Sequence, residues 1–182
     1  CLGIDPLGAL AADGVLPQGL GPALAEGVRH ARSCSEAVPR VRALRASGTT
    51  AFDAGASEGQ EIGFVLAAAT AYLRALVDGG LDASSAARQI ALEVAADVDL
   101  FSTIAKIRAV RHCWATVLQA SGVTVDGPTS GLVRVDAVAG GRWLTVVDPW
   151  VNLLRATAAT SGAVFGGADA IVVVPFDAAA GL

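Results

Sequence analysis

A chain of 182 residues is long enough for one ordinary domain with its own core. Its 13 basic and 17 acidic residues leave a net charge of −4, which argues against general binding to nucleic acid or anionic membranes. Hydrophobic residues make up 53%, yet no run approaches the roughly 18 unbroken apolar residues of a membrane span. The cysteines Cys1, Cys34 and Cys113 are odd in number and widely spaced, with no CxxC, so neither a disulfide framework nor a zinc site is indicated. A reducing, cytoplasmic compartment is the simplest reading. With Cys1 first, no methionine and no signal-peptide pattern, the chain is expected to be an internal piece of a longer protein.

In chain order, the first strand is expected at Val41 to Ala46, a short apolar run punctuated by arginines. Ser57 and Gln60 have the spacing of a capping box and open a long helix. Ile62, Leu66, Ala69, Leu73 and Leu76 recur along one of its faces, and Asp78-Gly79-Gly80 stops it. A short helical turn begins at Asp82, and Gln89 to Ala95 reads as the second strand.

The next long helix carries Ile104, Ile107, Val110, Trp114 and Val117 on one face and ends at Ser121-Gly122. The polar, turn-rich VDGPTSG leads into a third strand, Leu132 to Val138. Asp148-Pro149, an acid followed by proline, predicts the start of a helix with Val151, Leu154, Ala158 and Ala159 inward, ending near Gly166-Gly167. Ala170 to Phe176 reads as a fourth strand, buried on both faces.

Strands alternating with helices make parallel βαβ units, either closed into a barrel or opened as a doubly wound sheet. No GxGxxG or GxxxxGK[ST] follows any strand, which weakens the nucleotide-binding options. The GGAD segment at Gly166 precedes a strand and reads as a simple turn. Four strands with their helices are about half of an eight-stranded barrel and would leave two open edges.

Several separated segments, in this order, carry a resemblance: DAGAS with a helix ending YLRALVDGGLD, then FSTIAKIRAVRHCW, WLTVVDPWVNLLRATAA and AVFGGADAIVVVPFD. Together they resemble the cobalamin-dependent acyl-CoA mutases, with methylmalonyl-CoA mutase the nearest. The similarity runs from about Val41 to Leu182, and more weakly through LGIDPLGAL at the start. The resemblance implies a (β/α)8 TIM barrel of which this chain is roughly the second half. It also implies that residues 1–182 belong to a single barrel domain, without the flavodoxin-like domain whose DxHxxG histidine ligates cobalt.

Active subunits of that family read like SGYHMQEAGA before the first of these helices, with the histidine beside the substrate thioester. Aligned through Ala54-Gly55-Ala56, this sequence has Thr50 at the histidine and Thr49 at the preceding tyrosine. Gln89 and Ala91 stand where an arginine and a serine touch coenzyme A, and Val138 stands where the THxQTSG glutamine belongs. A threonine hydroxyl has too high a pKa for useful proton transfer near neutrality. A lost charge-assisted contact would cost about 1.5–3 kcal/mol.

Scaffold residues thus match while chemical ones do not, which resembles the family's non-catalytic small subunit. The resemblance implies a heterodimer with a catalytic large subunit, converting (R)-methylmalonyl-CoA to succinyl-CoA. Adenosylcobalamin would belong to the complex and not be bound by this chain. A divergent active mutase using Thr50, Asp53 or Gln89 is one alternative; a solitary ligand-binding or decayed barrel is another.

No catalytic residue is expected. Thr49, Thr50, Asp53, Gln89, Ala91, Glu93, Asp136 and Val138 are the candidates for lining a remaining pocket. The acids Asp53, Glu93 and Asp136 are more commonly paired with arginines or hydrated at strand ends. His30 and His112 lack a second ligand at metal spacing and read as structural or surface residues. Lys106, Arg108 and Arg111 read as a solvated helix face, and Arg155 as a tie to a neighbouring loop.

Overall fold

The computed structural model of the protein describes residues 1–125 and 131–181. The turn expected within residues 126–130 lies outside the described residues. Two helices come first, α1 (Pro6–Asp13) and α2 (Leu20–Ala37), followed by β1 (Leu44–Ser47). Next are α3 (Thr49–Asp53), α4 (Glu58–Asp78), α5 (Ala83–Arg88) and β2 (Ile90–Ala96). The chain continues with α6 (Leu100–Ala120), β3 (Val135–Ala139), α7 (Val151–Gly166) and β4 (Ala170–Val173), then a 3-10 turn at Ala178–Ala180.

The strands lie in the order β1-β2-β3-β4 and all pairs are parallel. This is an α/β architecture with helices between successive parallel strands, consistent with half of a (β/α)8 barrel. At the β1 edge, Ile4 forms a parallel bridge with Leu44, and Leu2 N–H donates to Arg42 O. That edge is therefore partly covered by the N-terminal segment, which sequence periodicity did not mark.

Alternation along each strand divides the sheet into two faces. Leu44, Ala46, Ile90, Leu92, Val94, Ala96, Val135, Ala137 and Ala139 pack into the apolar core with α4 and α6. Helix α4 starts at the expected capping box, with Gln60 N–H donating to Ser57 Oγ and Ser57 N–H donating to Gln60 Oε1. Among the described residues α4 is the one helix long and apolar enough to cross a membrane, but Val65, Ala69, Tyr72 and Leu76 are sealed in the core. Its inward face is centred one residue off the expected stripe, leaving Ile62 and Leu66 half-buried. The Asp82 carboxylate caps α5 through Ser84 and Ser85 N–H, and Asp99 caps α6 through Ser102 N–H.

Three expectations are corrected. Asp148 does not cap α7: it has φ 51, outside the extended geometry of a capping residue, and the helix begins at Val151. On α7 the buried residues are Asn152, Ala159, Gly162, Ala163 and Gly166, whereas Leu154 is exposed. The small residues set the close packing of α7 on α6, and the large apolar ones lie on its other side. Strand β4 is not buried on both faces, because it is an edge strand, with Val172 and Val173 exposed.

Candidate functional site

The face of the sheet turned away from the helices carries its charge in two layers. Arg45, Ala91 and Arg134 form one, and Ser47, Glu93 and Asp136 the next, because Ser47 pairs with Glu93 and Glu93 with Asp136 in register. Arg45 Nη1 lies 2.8 Å from Glu93 Oε2, and Ser47 Oγ donates to Glu93 Oε1 at 2.8 Å. Arg134 Nε lies 2.9 Å from Asp136 Oδ1. Ala91 leaves room between the two arginines, so each carboxylate on this face has a cationic neighbour one layer below. Glu93 is buried, and a buried carboxylate needs such a partner to offset its lost hydration.

At the C-terminal ends of the strands, β1 turns at once into the short helix α3. Thr49 and Thr50 occupy its first turn and are half-buried. The Thr49 and Ser47 hydroxyls are 2.8 Å apart, joining α3 to the Glu93 network. Asp53 is exposed, and its Oδ1 accepts from Arg142 N–H at 3.2 Å. Val138 lies on the same face as Asp136, one layer nearer this end, beside Ala95 and Val172.

Gln89 is not brought to this end. It precedes β2, at the opposite end of the strands, and its Oε1 accepts from Ala43 N–H at 3.2 Å. The candidate residues therefore run from one end of the sheet to the other; Thr49 is joined to Glu93 through Ser47, and Glu93 pairs with Asp136 in register.

Below α3 is a group that sequence reasoning did not find. Lys106 Nζ lies 2.6 Å from Glu61 Oε2 with both side chains fully buried, and Glu61 Oε1 accepts from Ala95 N–H at 2.6 Å. Lys106 Nζ also lies 4.9 Å from the centre of the Phe52 ring. The solvated-face expectation is thus corrected for Lys106. Its place at every third or fourth residue with Thr103, Ile107 and Val110 put it on the inward face. Burial pushes the Glu61 carboxyl above its ordinary range, against the opposing pull of Lys106.

Arg111 is also engaged, donating to Val133 O and pairing with Asp169 at 2.8 Å, and Arg108 donates to Phe165 O. Arg155 donates to Asn152 Oδ1 within its own helix, and among the described residues no hydrogen bond ties it to a neighbouring loop. His30 lies on α2 beside Glu26 and Arg29, and His112 is exposed on α6.

Asp5 is a second group that sequence reasoning missed. It accepts from Gly8 N–H, Ser47 N–H and the Tyr72 hydroxyl, tying α1, β1 and α4 together. Burial and the Asp5 charge push the Tyr72 phenol far above its ordinary range. At the other end, Arg42 donates to Ala87, Ile90 and Leu132 carbonyls, and burial brings its pKa down to about 10.

Residues 1–182 match the profile of the methylmalonyl-CoA mutase family. The chain is 46% identical over 181 residues to the methylmalonyl-CoA mutase small subunit of Streptomyces virginiae, covering 100% of this chain and 28% of that protein. It is 36% identical over 181 residues to the small subunit of Propionibacterium freudenreichii subsp. shermanii, covering 100% and 27%. To the methylmalonyl-CoA mutase of Escherichia coli (strain K12) it is 32% identical over 149 residues, covering 82% and 21%. The chain spans about a quarter of the length of these relatives. The order of its strands and helices and the match along its whole length agree: this chain belongs to the methylmalonyl-CoA mutase family.

Proposed function

We propose that this chain is barrel scaffold of a mutase small subunit that supports a catalytic large subunit and does not itself turn over substrate. The observation that carries the reading is the paired state of the acids on the sheet's open face. Glu93 is held by Arg45 and Ser47, and Asp136 by Arg134, and the resemblance puts Thr50 at the family's histidine position. A carboxylate locked to a guanidinium is a poor general acid or base, and a threonine hydroxyl is poorer still. The names of the relatives from Streptomyces virginiae and Propionibacterium freudenreichii support the small-subunit assignment.

In this reading the complex isomerises (R)-methylmalonyl-CoA to succinyl-CoA in the cytoplasm. Adenosylcobalamin would supply the radical chemistry there. The imidazoles of this chain do not fit cobalt ligation: His30 and His112 sit on the outer helices α2 and α6, away from the strand ends. The cofactor would accordingly be carried elsewhere in the complex, and no step is assigned to it through these residues.

Mixing the intact polypeptide with a catalytic large subunit tests the reading. A rise in the melting temperature or the activity of that subunit is expected, and no change in either overturns it. A mass-spectrometric screen for acyl-CoA isomerisation by this polypeptide alone, with adenosylcobalamin added, tests the alternative of a divergent active mutase. Turnover there would also overturn the scaffold role.

A further inference from the structure

We propose that residues 140–143 form a strap that holds the C-terminal ends of the four strands closed, with Arg142 as its latch. The segment leaves β3 at Ala139 and touches α3 and the residues after it, the end of β2 and the residue after β4. Arg142 Nη1 donates to Phe52 O at 3.0 Å and to Ala56 O at 3.2 Å, both in the connection after β1. Its Nη2 lies 3.2 Å from Asp97 Oδ2, just past β2. The guanidinium carbon sits 3.8 Å from the centre of the Phe52 ring. Trp143 Nε1 donates to Ala96 O at 3.1 Å, fixing the following residue on β2 as well.

The path of the strap is built for close passage. Gly141 has φ +81, and a Cβ there would collide with the Asp53 carboxylate. A Cβ on Gly140 would collide with Val174, the residue after β4. Two adjacent glycines let the backbone run between Asp53 on one side and Val174 on the other. Asp97, the anionic anchor, is itself fixed, since its N–H donates to Thr103 Oγ1 and its carbonyl accepts from the same hydroxyl.

This is the end of the sheet at which βα-barrels take their ligands. Arg142 occupies it by satisfying two loop carbonyls and one carboxylate, so the loops are ordered by a side chain of the chain itself. The inference concerns loop closure and stands for a catalytic and a non-catalytic barrel alike.

Hydrogen exchange on the intact polypeptide tests it, comparing the wild type with Arg142→Ala and Arg142→Lys. Exchange in residues 48–57 and 97–99 is expected to rise about tenfold or more in Arg142→Ala, the scale set by losing charge-assisted hydrogen bonds. Helix α2 should be unchanged, and Arg142→Lys intermediate, because lysine keeps the charge without the fork. Unchanged exchange in both loops, or an equal rise along α2, overturns the strap. Should Arg142→Ala fail to fold, Asp97→Asn supplies the test, with a smaller rise confined to the same two loops expected and no local rise overturning it.

Discussion

Lys106 and Glu61 form a fully buried ion pair beneath the β1–α3 connection, at 2.6 Å, joining α6 to α4. Because Glu61 also accepts from Ala95 N–H, the pair ties both helices to β2. Removing one charge leaves the other without a partner in a medium that cannot solvate it. Glu61→Ala and Lys106→Ala should each destabilise by about 3–5 kcal/mol, while the double change Glu61→Leu with Lys106→Met should be near neutral or stabilising. Urea denaturation of the three variants checks this, and a double change as costly as the two singles summed would refute it.

The same carboxyl gives a pH dependence. Its folded pKa is raised by burial above the ordinary 4.5, so between that value and the folded pKa the native state binds more protons than the unfolded one. Stability must therefore fall as the pH rises through that window. Glu61→Gln should flatten this part of the stability profile. Denaturation midpoints measured from pH 4 upward, with equal slopes for both proteins, would contradict the assignment.

The cap residues work in the opposite direction. Hydrogen bonds from Ser85 and Ser84 hold the Asp82 carboxyl below its ordinary 3.8, and those from Ser102 do the same for Asp99. The stability each contributes is present above 3.8 and is lost as the pH falls through the lower folded value. Ser57→Ala, which removes the capping box of α4, should cost about 0.5–2 kcal/mol at any pH. A pH titration of stability below neutrality for Asp82→Asn, Asp99→Asn and Ser57→Ala separates the two kinds of cap.

Glu93 is buried and depends on Arg45 and Ser47. Arg45→Ala should destabilise by about 1.5–3 kcal/mol, the range for a hydrogen bond to a charged group. Adding Glu93→Gln should restore part of that loss, since the orphaned charge is then gone. A double-mutant cycle with no coupling between the two positions would show that the pair carries no weight.

Gly141→Ala introduces a Cβ at positive φ and against Asp53. It should destabilise by more than about 1 kcal/mol. Asp53→Ala in the same chain should recover the steric part and leave the backbone part. Thermal denaturation of the two single variants and the double variant reads the difference directly.

Much of the secondary structure was legible because its signals are local. The Ser57–Gln60 box, the Asp82 cap and the glycines after α4 and α6 involve residues within one turn of each other. The acid-proline signal shows where such reading fails. Asp5-Pro6 opens α1 through a side-chain bond to Gly8 N–H, while the Asp148 side chain does not cap α7, which begins three residues later, although the dipeptides are identical. What differs is the backbone at the acid, with φ −139 at Asp5 and φ 51 at Asp148.

The site was less legible than the frame. Thr49, Glu93 and Asp136 could be named as candidates, and alternation puts Arg134 on the face of Asp136, but only strand register sets Arg45 one layer below Glu93. Helical spacing places Lys106 on the buried face of α6, but nothing local named Glu61, on α4, as its partner. Helix α2 also went unmarked, because its buried residues are Ala23, Gly27, Ala31 and Cys34, too small to stand out as an apolar stripe.

By itself the sequence determined the alternation of strands and helices and most helix ends, since these rest on hydrogen bonds and apolar spacing within a few residues; the family rested on the resemblance of separated segments in a fixed order. The tertiary structure alone decided which charges meet. Glu61 and Lys106 are 45 residues apart, Arg45 and Glu93 48, and Arg142 lies 90 from Phe52. Electrostatic and hydrogen-bond energies depend on distance in space, and only strand register and helix packing convert chain separation into contact.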